Sequence, residues 1–375
     1  MKVLFDMTYA PAENMAGIII FAYRLLKGLH EIHKQQEIVL LLSEENVKIA
    51  KSEYLQDFKF VTIHLKYNNL TNRIPHLRGL LNRRNLNDLI TENNISLFFS
   101  PSLYMNSLYT DKIPHIGVLH DAQVYILKKQ QPLKGRAFRW RMNSLLNGLT
   151  HIITISHASK ESIQQIINPK TQISVIYNSV DIKSTLKYTN LDINLKRPYI
   201  LYVNTLLPYK NIQTLLRAFA TLKKEIKHKL VIKASKTVFW EHTLKPLINE
   251  LDIDDRVVLI DARFNDDEMA VLYKRAALFV SPSLMEGFGF TPIEAAMYET
   301  PVITTRIPAL YETTLGLLTY YEPATDDTIL SNTIRKIISF PPAKEQRSAI
   351  ATKLKEQYST KKQAKIYYKL FKTII

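Results

Sequence analysis

ALFVSPSLMEGFGFTPIEAAMYETPVITT, residues 277–305, reads as apolar run, glycine-bearing loop, helical stretch and second apolar run. The chain has 9 glycines in 375 residues, yet Gly287 and Gly289 fall within three positions. Glycine costs conformational entropy and is kept where backbone turns sharply or a ligand comes close. The strand ALFVSPS stops at Ser281-Pro282. The helix that follows has Thr291 as expected N-cap, Pro292 as first residue and Glu294 as the acid of a capping box. That pattern gives Glu294 a purely structural explanation, whereas Glu286 precedes the helix and is not explained by it. A strand–loop–helix at a sheet's carboxyl edge also offers free N–H groups and a positive helix end to an anion. Carboxylates accept hydrogen bonds from sugar hydroxyls, so the stretch outlines a site for a nucleotide sugar.

Outward from this stretch, the same alternation recurs. RPYILYVNTL, HKLVIKAS, RVVLIDA, AALFVSPS, TPVITT and LLTYYEP read as one set of strands, with the amphipathic helix KNIQTLLRAFATLKKEI after the first. KVLFDM, EIVLLLS, KFVTIHL, SLFFSPS, HIGVLHD, HIITIS and QISVIYN form an earlier set. Short apolar strands alternating with helices predict parallel sheets covered on both faces. The polar segment Val180–Pro198 separates the sets. The expected fold class is α/β, with two doubly wound, Rossmann-like domains over 1–185 and 198–357 facing across a cleft.

Composition bounds the function. With 46% hydrophobic and 22% charged residues the chain is globular rather than disordered. It has no cysteine, which excludes disulfides and thiolate metal sites and fits a reducing cytoplasm. No apolar run reaches the length of a membrane span or a signal peptide. Lys and Arg outnumber Asp and Glu by 50 to 34, a formal charge of +16 that favours an anionic partner. His64–Arg84 holds five Lys or Arg and Lys128–Arg141 holds six, with no acid in either. These are either solvated faces or a surface for an anionic membrane or acceptor. No nucleic-acid-reading module accompanies the charge.

EGFGFTPIE resembles the E-x7-E motif of the family 4 retaining glycosyltransferases, and the flanking Pro-Ser and Pro-Val match as well. The resemblance implies the GT-B fold. It also implies donor-binding roles for Glu286, Gly287, Phe288, Gly289 and Phe290 at the sugar and diphosphate, and for Glu294 at the ribose. YVNTLLPYKN is similar to the family's phosphate-binding turn, making Lys210 the phosphate cation; on spacing alone it reads as a surface lysine. The family's Gly, often followed by Arg or Ser, reads there as Asn204-Thr205, and a common Gly-Lys in the next strand is replaced by Ser235-Lys236, with Lys236 a weaker candidate. HIGVLHDAQ resembles the strand that delivers His120 to the cleft, although a histidine at a strand end can equally be structural. Gly17 matches the glycine that opens the first helix near the diphosphate, and Ser179 stands where Gly is frequent. Arg263 and Phe264 are candidate base contacts. In this fold the last helix, 358–375, returns to the N-terminal domain.

The expected reaction is retaining transfer of a sugar from a UDP- or GDP-linked donor to a glycan or lipid-linked acceptor. The resemblance and the Lys/Asn-rich composition point to bacterial surface polysaccharide synthesis at the inner face of the cell membrane. His120, Glu286 and Lys210 are the expected catalytic residues. Lys210 and the helix N-terminus stabilise the leaving diphosphate without a metal or other cofactor. A nucleotide-sugar epimerase of the same architecture, or a non-catalytic polyanion-binding partner subunit, are the alternative readings.

Overall fold

The structure is a computed structural model that describes residues 1–9, 17–51, 53–65, 75–103, 108–123, 126, 132–183 and 198–375. The basic segment Lys128–Arg141 and the inter-set segment Val180–Pro198 lie partly outside the described residues, as does the first half of His64–Arg84. Two compact units form, one from Met1–Ser179 with Tyr358–Ile375, the other from Val180–Gln357.

Each of the thirteen apolar runs holds a strand. In the first unit these are β1 Val3–Asp6, β2 Ile38–Ser43, β3 Lys59–Ile63, β4 Leu97–Ser100, β5 His115–Val118, β6 His151–Thr154 and β7 Ile173–Val175. The second unit has β8 Tyr199–Val203, β9 Lys229–Lys233, β10 Val257–Ile260, β11 Leu278–Ser281, β12 Val302–Thr305 and β13 Thr319–Tyr321. The sheet orders are β3-β2-β1-β4-β5-β6-β7 and β10-β9-β8-β11-β12-β13, and all the pairings are parallel. Central strands such as β1, β2, β4, β8 and β11 are almost wholly buried, because helices cover both faces. The edge strand β3 instead exposes Lys59 and Phe60.

The helix Ile212–Leu222 shows how the second unit is packed. Ile212, Leu215, Leu216, Phe219 and Leu222 recur at helical spacing and are all buried, joining Ile200, Ile232, Leu278 and Val280 in one core. In the first unit the helix Gly17–Glu31 packs tightly on the last helix, Thr360–Ile374. A Cβ at Gly28 would lie 2.4 Å from the Thr360 carbonyl oxygen, so only glycine permits that approach. The last helix is fastened by polar contacts too. Gln363 donates to the Tyr177 carbonyl at 2.9 Å and accepts from Ser179 Oγ at 2.8 Å. Among the described residues no helix is long and apolar enough to cross a membrane.

Winding a parallel sheet outward in both directions leaves a crevice at the carboxyl ends of the two strands where the order reverses. Here those pairs are β1 with β4, and β8 with β11. The loops after these strands are where ligand chemistry is to be sought.

Candidate functional site

The loop after β8 runs from Asn204 to Asn211, and the loop after β11 from Pro282 to Gly289. They bring together residues far apart in sequence. Lys210 Nζ lies 2.7 Å from Glu286 Oε1, with side chains only 9% and 11% exposed. The same oxygen accepts from Ser283 Oγ at 2.8 Å and from Asn204 Nδ2 at 3.4 Å. Three donors on one oxygen fix the carboxylate's orientation, while Glu286 Oε2 has no partner among the described residues. Lys210 Nζ has three donors, and only the one toward Glu286 is engaged there. Tyr209 presents its ring 5.2 Å from Nζ. Burial, reinforced by the Glu286 charge, pushes the neighbouring Tyr202 hydroxyl well above its ordinary range. Tyr202 therefore stays a proton donor, to the Thr205 carbonyl at 3.3 Å.

The glycine loop has a single conformationally obligatory glycine. Gly289 has φ +86°, in the left-handed region, and a Cβ there would lie 2.2 Å from Leu310 Cδ2. Gly287 is not among the positive-φ residues. The loop is anchored from behind by Thr313, whose hydroxyl donates to the Phe288 carbonyl at 2.5 Å. Phe288 is buried and packs on Phe290 with ring centroids 5.0 Å apart.

The expected capping box is not what forms. The helix runs Phe290–Met297 and opens one residue before Thr291, with Gly289 as its N-cap and no side-chain capping bond. Left-handed Gly289 turns the chain straight into the helix, which places Thr291 inside it. Glu294 Oε2 instead accepts from the Tyr273 hydroxyl at 3.1 Å. Its carboxylate is thus tied to the neighbouring helix Asp266–Arg275.

On the same sheet edge, Phe264 lies 5.2 Å from Lys233 Nζ at the end of β9, and Arg263 is exposed. Burial pulls the Lys233 ammonium down, against the raising effect of Asp261. Asp261 Oδ1 accepts from the backbone of Lys236, an exposed residue.

In the first unit Gly17 is the first residue of its helix. His120 follows β5 and is buried, its Nε2–H donating to the Pro101 carbonyl at 2.9 Å. That bond leaves Nδ1 as the unprotonated nitrogen. Phe21 meets the imidazole edge-on at 5.0 Å, and burial lowers its pKa to about 4. His120 is neutral at physiological pH. At the end of β1, Asp6 Oδ1 accepts from the Thr8 backbone and hydroxyl at 2.8 and 2.7 Å.

Sequence reasoning named Lys210 and Glu286 but missed Ser283 and Tyr273 and gave Asn204 no partner. Ser283 lies three residues before Glu286, a spacing that allows a side-chain contact across a tight loop. Tyr273 carries no local signal; its relation to Glu294 exists only between packed helices.

The sequence profile described as Glycosyl transferases group 1 matches residues 186–356, and that of Glycosyltransferase Family 4 matches residues 16–184. The chain is 30% identical over 208 residues to the O-antigen chain mannosyltransferase RfbU of Salmonella typhimurium, covering 55% of this chain and 56% of that one. It therefore spans little more than half the length of that relative. Among solved structures, a sucrose-phosphate synthase from Thermosynechococcus elongatus matches with TM-score 0.77 and 16% identity over 99% of this chain and 98% of the other. The Anabaena protein HepE, solved in complex with UDP and glucose, matches with TM-score 0.72 and 15% identity over the whole of both chains. The two profiles between them take in both parallel-sheet units, and the chain belongs to glycosyltransferase family 4, with the GT-B fold.

Proposed function

We propose that the chain transfers a sugar, with retention at the anomeric carbon, from a UDP- or GDP-linked donor to a glycan or lipid-linked acceptor in bacterial surface polysaccharide synthesis. The observation that carries this reading is the Lys210–Glu286 pair at the β8/β11 crossing, with one carboxylate oxygen saturated and the other without a partner among the described residues. Glu286 Oε2 accepts a donor-sugar hydroxyl, and the remaining N–H groups of Lys210 meet the diphosphate. The same ion pair then links the sugar to its leaving group. As the glycosidic C–O bond breaks, negative charge grows on the diphosphate. Lys210 and the N-terminus of the helix Phe290–Met297 stabilise it where it develops, and no metal is required.

The acceptor hydroxyl attacks from the face the diphosphate leaves, and a phosphate oxygen takes its proton. Glu286 is a sugar ligand in this scheme and not a nucleophile. Glu294 holds the ribose, Phe264 and Arg263 border the base, and neutral His120 orients the sugar through Nδ1. HepE, seen with UDP and glucose, supports a nucleoside diphosphate donor, and RfbU, an O-antigen chain mannosyltransferase, supports a surface-glycan acceptor. The basic stretches His64–Arg84 and Lys128–Arg141 serve contact with an anionic inner leaflet.

The test is to incubate the protein with UDP- and GDP-sugars and bacterial lipid-linked acceptors and follow the product by NMR. A product whose anomeric configuration matches the donor is expected. An inverted product, or donor epimerisation without acceptor, overturns the reading.

A further inference from the structure

Asn211 stands between Lys210 and the helix Ile212–Leu222, and it joins three loops of the sheet edge. Its Nδ2 donates to the Pro282 carbonyl at 3.0 Å and to the Ala324 carbonyl at 2.8 Å. Its Oδ1 accepts from Thr214 Oγ1 at 2.8 Å. The loops after β8, β11 and β13 are thereby tied to one buried amide, only 7% exposed. Both hydrogens of the amide are used, which an aspartate cannot reproduce and an alanine cannot replace. The backbone of Asn211 has φ 55° and ψ 32°, the left-handed conformation that asparagine tolerates and most side chains do not.

The position of this clamp matters because Pro282 immediately precedes Ser283, a donor to Glu286 Oε1. Lys210 is consequently flanked by two ties to the same loop. On one side Tyr209 accepts from the Leu284 backbone at 2.9 Å, and on the other stands the Asn211 amide. The first tie is backbone to backbone and is open to any residue; the second requires this side chain. A lysine stem loses rotamer entropy when held in one place, so a fixed ammonium needs an anchored base.

We propose that Asn211 is a positioning residue that sets the Lys210–Glu286 geometry; its consequence for sugar transfer rests on the function proposed above. Competitive acetylation of lysines with N-hydroxysuccinimide acetate, read by mass spectrometry, tests it without any donor. Asn211→Gly keeps the backbone conformation and deletes the clamp, while Asn211→Asp keeps the shape and sets an acceptor against two carbonyls. Thr214→Val removes the bond to Oδ1 alone and provides a third, milder variant. The expected result is that Lys210 labels severalfold faster in the folded Asn211 variants, and less so in Thr214→Val, with Lys236 unchanged. Unchanged Lys210 labelling in a folded Asn211 variant overturns the proposal. In donor binding, Asn211→Gly is expected to add little to Lys210→Ala, and full additivity would contradict it. Wild type that binds no nucleotide sugar contradicts the transfer reading and leaves the labelling result standing.

Discussion

The two crossing points share a winding pattern and differ in chemistry. In the second unit a nearly buried ion pair, Lys210 with Glu286, sits beside the β8 and β11 ends and, among the described residues, keeps donors and one acceptor unspent. In the first, the described groups near the β1 and β4 ends are buried: His120 is neutral against Pro101, His115 bonds Ser100 at 2.9 Å, and Asp6 Oδ1 accepts from Thr8. A strand-end crevice is thus a generic product of doubly wound topology, and the side chains placed there decide whether it holds charge. Among the described residues, the arrangement suited to a leaving diphosphate is the Lys210–Glu286 pair of the second unit.

The largest expected effect comes from removing the charge. Lys210→Ala should lower kcat/KM for transfer by about 10²- to 10³-fold, the usual consequence of losing one group that stabilises developing charge. Amide exchange in the first unit should not change. Steady-state kinetics and hydrogen exchange on one preparation test both halves of that contrast.

Acid should act chiefly on the other unit. Burial lowers His120 from the ordinary imidazole value of 6.5 to about 4 and His115 to about 3, and lowers His151 too. Below pH 6.5 the unfolded chain binds protons that these folded imidazoles refuse, so stability is full above 6.5 and declines as pH falls toward 4. Protection in β4, β5 and β6 is expected to drop across that window, and His120→Gln should make the decline shallower. An unchanged pH slope in that variant would show that the buried imidazole is not responsible.

Gly289→Ala sharpens the comparison from the backbone side. A left-handed alanine colliding with Leu310 is expected to cost about 1–3 kcal/mol, seen as a lower melting temperature and looser exchange in the second unit. A melting temperature equal to wild type would mean that this glycine is not structurally required. Smallest is Tyr273→Phe, which removes the hydrogen bond to Glu294 and is expected to destabilise by about 0.5–1.5 kcal/mol in denaturant unfolding.

Much of the fold was legible because its signals are local. Thirteen apolar runs became thirteen strands, and in sequence the polar segment after Val180 falls between the last strand of the first sheet and the first strand of the second. Glu286 was legible as a carboxylate that no helix cap explained, and Lys210 through the pattern around it. The rest depends on proximity that spacing does not encode. The frame of the Phe290–Met297 helix was set by Gly289 in a left-handed turn, which overrode the favourable Thr291 cap. Asn211 reads as an ordinary turn asparagine until Pro282 and Ala324, 71 and 113 residues away, arrive beside it.

The most direct test is isothermal titration of UDP, GDP and their sugar conjugates against wild type, Lys210→Ala and Glu286→Gln. One nucleotide is expected to bind wild type, to weaken sharply in Lys210→Ala, and to lose the added affinity of its sugar in Glu286→Gln. Equal binding by all three proteins, or none by wild type, would contradict a donor site built on the Lys210–Glu286 pair.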